Sequence, residues 1–500
     1  MNIRELILDM LMEMERENVY SNILIRNVLD KYDYLPSKDK AFVKRVTEGV
    51  LERRIQIDYI IDAFSKIPVE KMKPLIRNLL RMSVYQLLFM DSVPDAAVCN
   101  EAVKLAAKRK FQPLKGFVNG VLRNIARRKE ELALEGQIGK GMGGESAAGG
   151  DSLDPAGKAA IGQAQTGEVP KTFFYPDKKE HPLEYLSVVY SMPECFIKDW
   201  VEDYGMERIE KMLRAMLEIH PVTVRLKESI SMEEKEALLG EMEKKGIKAV
   251  SHPYLPYAYR LTHVDGVRNI PGFDRGLFAV QDVSSMLCVE CAGIKEGNFV
   301  VDVCAAPGGK SLHGAEKAGT AGHVLARDIS PDKVALIEEN ARRQGIGNIK
   351  TEVFDALQYD AGLEEKADVV LADVPCSGLG ILGRKRDIKY NVTMEMLSKL
   401  PAVQREILGT VWRYVKPGGI LVYSTCTVRK EENEDNVRWF LEHFPFIPED
   451  ISGKVGHIPE TGTAADGFLQ LLPGIHETDG FFIGVFRRKA EKCSAEMGEK

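Results

Sequence analysis

Apolar residues recur at steps of three and four from the start of the chain: Ile3, Leu6, Ile7, Met10, Leu11 and Met14 share one helical face. The same spacing returns in LIRNLLRMSVYQLLF (75–89), AAVCNEAVKLAAKR (96–109) and FVNGVLRNIARR (117–128), with Pro36, Pro68, Pro94 and Pro113 as punctuation between segments. Residues 1–130 are therefore expected to form an all-helical domain. The pattern then stops. Residues 136–167 hold ten glycines and no aromatic residue. Such a composition buries too little apolar surface to offset its ordering entropy, so 131–172 reads as a flexible Gly-rich linker.

Order resumes at Phe173. Helical spacing around 193–217 and 233–245 flanks a strand candidate, PVTVRLK (221–227), while 247–275 carries repeated Pro, Gly and Tyr turns. This predicts a small α+β subdomain over 173–275. Beyond it, short apolar strands alternate with amphipathic helices: NFVVDV (298–303), HVLARD (323–328), IKTEVFD (349–355), ADVVLAD (367–373) and GILVYST (419–425). Ser330, Pro331 and Gly345 bound one of the intervening helices as cap, first turn and stop. Strict alternation implies a mostly parallel sheet with helices on both faces over 276–489. FLQLLPG and GFFIGVFRR close it as an antiparallel pair, and 490–500 is a tail.

Composition narrows the setting. The 500 residues are 44% hydrophobic and 28% charged, ordinary globular values with material for more than one core. Eight cysteines are too sparse for a disulfide scaffold, and the acidic N-terminus fits neither a secretory signal nor a transit peptide. No stretch of about 18 apolar residues free of charge suits a membrane span. A cytoplasmic protein with free thiols is expected. The net charge of −6 is uneven: residues 1–130 total +7 and the remainder −13. Lys108, Arg109, Lys110 and Lys115, then Arg123, Arg127, Arg128 and Lys129, form two basic clusters. They read either as a solvated helical face or as an RNA-facing patch.

Candidate chemistry sits at the strand ends. The first turn, DVCAAPGGKS (302–311), lets the backbone approach a ligand at a helix N-terminus. It is neither a P-loop, since position 304 is cysteine, nor GxGxxG. Asp328 ends the next strand, where an acid can take two ribose hydroxyls, and Asp355 ends the third, within reach of an adenine edge. Two cysteines follow the fourth and fifth strands, in Asp373-Val-Pro-Cys376 and Ser424-Thr-Cys426. With Asp373 and Lys310 nearby, they read as nucleophilic chemistry rather than core filler. Cys288 and Cys291 match CxxC but stand alone inside an apolar helix, and the nine histidines show no metal spacing. No metal is expected.

Together VDVCAAPGGKS, LADVPCSGLG and YSTCTVRKEEN resemble the bacterial RNA (cytosine-5)-methyltransferases, supported by YSMPECFIKDW, FAVQDVSSM and DGFFIGVF. Residues 1–130, with DKAFVKRVTEGVLERR, RMSVYQLLFM and KGFVNGVLRNIARR, resemble the RNA-binding domain of the antitermination factor NusB. That fusion is typical of the 16S ribosomal RNA methyltransferase B branch. The resemblance implies a multidomain chain: an all-α NusB-like domain, a small α+β RNA-binding subdomain and an α/β Rossmann-like class I methyltransferase domain. It implies S-adenosylmethionine as cofactor, 16S rRNA before complete subunit assembly as partner, and a monomer without membrane or metal.

By the same resemblance, Cys304, Ala305, Ala306, Pro307, Gly308, Gly309 and Lys310 wrap the methionine and ribose of the cofactor, with Asp328 on the ribose and Asp355 on the adenine. Cys426 is the nucleophile, Cys376 assists release, and Asp373 and Lys310 touch both cofactor and target base. The chain departs from the family pattern at Arg386 (usually proline), Cys195 (usually tryptophan) and Lys227 (usually asparagine). The chemistry suits the residue types. A thiolate on carbon 6 of cytosine makes carbon 5 nucleophilic enough to take a methyl group, and a base must then remove the carbon-5 proton. In a folded RNA the target nucleotide must be displaced into the pocket. The rivals are a DNA cytosine methyltransferase attacking with the Pro-Cys cysteine, a catalytically dead RNA-binding factor, and a nicotinamide oxidoreductase.

Overall fold

The computed structural model describes residues 2–17, 20–135, 175–218 and 220–490. The expected linker lies outside the described residues from 136 onward, as does the expected tail from 491. The chain forms two compact units: Met1–Ile219 with Lys385–Asn391, and His220–Arg384 with Val392–Lys500.

The first unit is helical, as its apolar spacing predicts. It runs through α1 (Ile3–Glu17), α2 (Ser21–Lys31), α3 (Ser37–Glu52), α4 (Arg54–Phe64), α5 (Pro74–Phe89), α6 (Asp95–Lys108), α7 (Lys115–Arg127) and α8 (Lys129–Glu135). Helix α5 starts on proline, which suits a first turn, and buries residues on every side. Around it pack α1, α3, α4, α6 and α7. The segment 173–275, read as one subdomain, is divided. Helices α9 (Pro182–Tyr190), α10 (Glu194–Tyr204) and α11 (Met206–Leu217) belong to this unit, where α9 lies on α4 and Tyr175 stacks on Tyr59 at 6.3 Å.

The basic clusters are partly neutralised inside the unit. Lys108 reaches Glu5 at 2.6 Å, Arg109 pairs with Glu5 and Asp9, and Lys129 lies 3.4 Å from Asp95. Lys115 and Arg123 instead join Asn100, Lys104 and Asn119 around a hollow of about 460 Å³.

Residues Lys385–Asn391 complete the unit and explain one departure from the family pattern. Arg386 pairs with Glu48 at 3.0 Å and Glu52 at 3.1 Å. Asp387 accepts from the Ser21 amide at 2.7 Å, and buried Lys389 donates to the carbonyls of Glu52 and Ser191. Burial pulls the Lys389 ammonium down to about 7.

The second unit carries two sheets. The smaller is antiparallel, ordered β2-β3-β1-β4, from β1 (Val222–Leu226), β2 (Lys248–Ser251), β3 (Ala258–Thr262) and β4 (Phe278–Val280), with α12 (Met232–Lys244) beside β2. Two of these strands fall where the sequence showed only turns, because β2 keeps little of its side-chain surface buried and no apolar alternation marks it. Lys227, another departure, donates to the Gln344 carbonyl at 3.0 Å. Helix α13 (Val283–Ala292) leads into the larger sheet and buries Cys288 and Cys291, so that CxxC is core.

The larger sheet alternates as expected: β5 (Phe299–Asp302), α14 (Gly309–Ala318), β6 (His323–Asp328), α15 (Pro331–Gln344), β7 (Ile349–Val353) and β8 (Ala367–Asp373). After α16 (Ile388–Asn391), which lies in the first unit, come α17 (Met394–Val411), β9 (Val415–Thr425), α18 (Glu434–His443), β10 (Phe446–Pro448), α19 (Ser452–Val455), β11 (Phe468–Leu471) and β12 (Phe481–Arg488). Its order is β10-β12-β9-β8-β5-β6-β7, with β11 beside β12. Strands β5 to β9 are parallel, and β12 is antiparallel to its three partners. The order places β5, β8 and β9 side by side, and their carboxyl ends carry the three motifs. Among the described residues no helix is long and apolar enough to cross a membrane.

Removing Arg386 leaves two carboxylates facing a site built for a cation, one of them buried. Arg386→Ala should destabilise the helical unit by about 3 kcal/mol, the usual cost of stripping one partner from a buried pair. Urea unfolding followed by circular dichroism checks this, and an unchanged midpoint would show the pair to be dispensable.

Candidate active site

The turn after β5 is tightly built. The Asp302 carboxylate is buried and accepts from Ser311 on α14 at 2.6 Å, locking strand to helix. Ala305 donates its amide to the Arg327 carbonyl of β6 at 2.8 Å. Gly308 adopts a φ of +100°, and a Cβ there would lie 3.2 Å from Ile337 on α15. Only glycine fits this conformation and this close approach. Burial, with Asp302 next, drives the Cys304 thiol far above the usual range, so Cys304 is an inert part of the wall.

Asp328 ends β6 with its carboxylate nearly buried. It accepts from Ala306 at 3.3 Å and from Ser330 at 3.2 Å, tying the glycine turn to its own strand. The next residue, Ile329, is 63% exposed. Asp355, two residues beyond β7, is half-buried and accepts from the Leu357 amide at 3.0 Å.

Lys310 and Asp373 form a close ion pair, 2.6 Å apart, and Ser424 donates to the other Asp373 oxygen at 2.8 Å. Burial opposes the Lys310 charge, but Asp373 more than offsets it and holds the ammonium above the ordinary lysine range. Lys310 is therefore a fixed cation on Asp373, and its ammonium also faces the Phe481 ring at 4.9 Å.

The two cysteines meet. The sulfurs of Cys376 and Cys426 are 3.3 Å apart, and the Cys426 amide also points at the Cys376 sulfur at 3.3 Å. Parallel pairing sets this up, since Asp373 of β8 lies opposite Ser424 of β9. The turns are then laced together: Ser377 and Thr427 hydroxyls lie 2.7 Å apart, and Gly380 donates to the Cys426 carbonyl at 3.0 Å. A Cβ at Gly380 would stand 2.1 Å from the Gly480 carbonyl, so this passage requires glycine. The hydrogen bond to Cys426, followed by burial, holds the Cys376 thiol well above the usual range. In this pair Cys376 keeps its proton.

The structure thus brings Lys310, Asp373, Cys376 and Cys426 together beside adjacent strand ends, and puts Asp328 at the end of β6 and Asp355 just past the end of β7, the next two strands outward. Sequence reading missed Glu432, Asn433 and Gln404, which bind the cysteine turns from behind. Glu432 lies within the KEENED run that follows Cys426, an acidic stretch that reads as solvated. Elsewhere Glu228, Glu290 and His313 bring ligand atoms within 4.8 Å of one another, and Lys317 sits on both carboxylates at 2.6 and 2.8 Å. These residues are far apart in the chain, so no sequence spacing could show the group.

Comparison with known proteins identifies the family. Family models match in three segments: the NusB family over 1–127, the ferredoxin-like domain of RsmF/B-like methyltransferases over 192–267, and 16S rRNA methyltransferase RsmB/F over 291–487. The probable ribosomal RNA small subunit methyltransferase B of Bacillus subtilis is 33% identical over 98% of this chain and 99% of its own length. This chain belongs to the RsmB/F family of 16S rRNA methyltransferases. The ribosomal RNA small subunit methyltransferase B of Salmonella paratyphi A is 30% identical over 90% of this chain and 91% of its own. A crystal structure of a methyltransferase homologue from Pyrococcus horikoshii is 27% identical, covers 61% of this chain and 99% of its own, and gives a TM-score of 0.52. The RsmB/F family is S-adenosylmethionine-dependent, and the NusB-like, small and Rossmann-like parts expected from the resemblance are all present.

Burial pushes the Asp302 carboxyl up to about 7, against roughly 4 in an unfolded chain. The folded protein holds a proton there that the unfolded chain releases, so the group's contribution is complete below about pH 4 and is lost as pH rises to 7. Asp302→Asn removes that loss. Its unfolding free energy relative to the parent should climb by on the order of 2–4 kcal/mol between pH 4 and 7 and then level off. A difference independent of pH would contradict this account of Asp302.

Proposed function

We propose that this RsmB/F-family chain methylates carbon 5 of a cytosine in 16S ribosomal RNA through a covalent adduct between Cys426 and carbon 6 of the base. The observation that carries the reading is the contact of two thiols, 3.3 Å apart, at the ends of β8 and β9 beside the Lys310–Asp373 pair. The names of the Bacillus and Salmonella relatives support ribosomal RNA of the small subunit as substrate. The hollow lined by Lys104, Lys115 and Arg123 supports an RNA-facing role for the helical unit.

The edge of the sheet fits S-adenosylmethionine. Asp328 and Asp355 present carboxylates at successive strand ends, which suit the hydroxyl and amino donors of a nucleoside better than a phosphate. Residues Cys304 to Lys310 would line the methionine and ribose, Asp328 would accept the ribose hydroxyls, and Asp355 would face the adenine. Exposed Ile329 offers an apolar surface to a ring. When bound, S-adenosylmethionine supplies an electrophilic methyl group.

The chain's own residues do the rest. Cys426 attacks carbon 6 as thiolate, forming the sulfur–carbon bond and sending electron density to carbon 5, while the Cys376 thiol is held well above the usual range by its contact with Cys426 and by burial. Asp373, held by Lys310 and Ser424, would orient the base. Once carbon 5 has taken the methyl group, Cys426 no longer carries charge, and the Cys376 thiol can release its proton to water. Cys376, or a water beside it, then removes the carbon-5 proton. The sulfur–carbon bond breaks, and Cys426 leaves as thiolate.

Cys426→Ala should abolish methylation of 16S RNA, measured by tritium transfer. Cys376→Ala should accumulate a protein–RNA complex that survives denaturation. Normal turnover by the first variant would sink the nucleophile assignment; no trapped complex in the second would remove the release role.

A further inference from the structure

Beyond these cysteines lies a carboxylate that no step above uses. Glu432 is fully buried, six residues after Cys426. Removing a carboxylate from water costs several kcal/mol unless its oxygens are satisfied by hydrogen bonds. Here they are. One oxygen accepts from the Ser377 amide at 2.9 Å and from the Gln404 side chain at 3.0 Å, and the other faces Arg429 at 3.5 Å.

The donors identify what is being held. Ser377 follows Cys376 directly, and the same Gln404 amide also donates to the carbonyl of Pro375, which precedes it. Cys376 is therefore gripped on both sides from one point. The adjacent residue, Asn433, does the equivalent for the other turn: it accepts from the Thr425 hydroxyl at 2.6 Å and donates to the Thr427 carbonyl at 3.1 Å. Two neighbouring residues thus each hold the flanks of one cysteine. Together they fix the distance between the sulfurs.

We propose that Glu432 is a positioning residue for release of the methylated base, clasping the Cys376 turn so that its sulfur stays in contact with Cys426. The proposal rests on the reading of Cys426 as nucleophile and Cys376 as the group that assists release. A carboxylate suits the place because donors approach both of its oxygens. Glutamine offers one acceptor oxygen for the Ser377 and Gln404 donors and turns its N–H groups towards the Arg429 guanidinium, so the clasp loses the charge that anchors it.

The test uses the full-length protein with Glu432→Gln. The kcat for 16S RNA methylation should fall about tenfold or more, the scale expected of a misplaced reacting group. The KM for S-adenosylmethionine should stay within about twofold. Denaturation-stable protein–RNA complex should accumulate towards the level of Cys376→Ala. In a Cys376→Ala background the same change should have no further effect, because nothing remains to be positioned.

Additive losses in the double variant would overturn the proposal. So would an absence of trapped complex in Glu432→Gln while Cys376→Ala alone traps RNA. If Cys376→Ala itself traps nothing, the release reading fails and the proposal falls with it. Should Glu432→Gln not fold, Gln404→Leu removes one donor to the clasp and keeps the carboxylate. It should trap RNA to a smaller extent, and a variant that traps none would equally overturn the proposal.

Discussion

The parallel pairing of β8 with β9 is the constraint from which the site follows. Once Asp373 stands opposite Ser424, Cys376 lies three positions after the one and Cys426 two positions after the other, which brings the two turns together. The two thiols are held 3.3 Å apart, and the surroundings are built to resist their separation. Gly380 passes where no side chain fits, the Ser377 and Thr427 hydroxyls bridge the turns, and Glu432 and Asn433 hold them from behind. In the proposed covalent mechanism this rigidity keeps the attacking and departing groups in place.

The hydrogen bond to Cys426, and then burial, hold the Cys376 thiol well above the usual range. Lys310 neutralises Asp373 and keeps that carboxylate in place beside the two cysteines. The remaining acids along the sheet edge, Asp302 and Asp328, are satisfied by Ser311 and by backbone amides.

How much of this was legible in the sequence varied with the range of the interactions. Strands β5 to β9 and the turns after them were readable, because apolar runs, caps and glycines are local signals. Strands β2 and β3 were not, since β2 is mostly exposed and the segment is rich in turn residues. The sequence leaves the two basic clusters open between a solvated face and an RNA-facing patch, and gives no sign that α1 supplies Glu5 and Asp9 to the first of them from about a hundred residues away in the chain. Arg386 looked like a departure of unknown effect until Glu48 and Glu52 appeared beside it. Glu432 was hidden differently. An acid in an acidic run gives no local sign that the fold will bury it, and only its partners on α17 and in the Pro-Cys turn reveal its place.

The central claim is that the sulfur of Cys426, and not that of Cys376, bonds to the base. Its most direct measurement is peptide mapping of the adduct that the unmodified protein forms with 5-azacytidine-substituted 16S RNA in the presence of S-adenosylmethionine, since that base lacks the carbon-5 proton needed for release. Mass spectrometry should find the nucleotide on the peptide that carries Cys426. A nucleotide on the peptide that carries Cys376 would reverse the two roles and contradict the account.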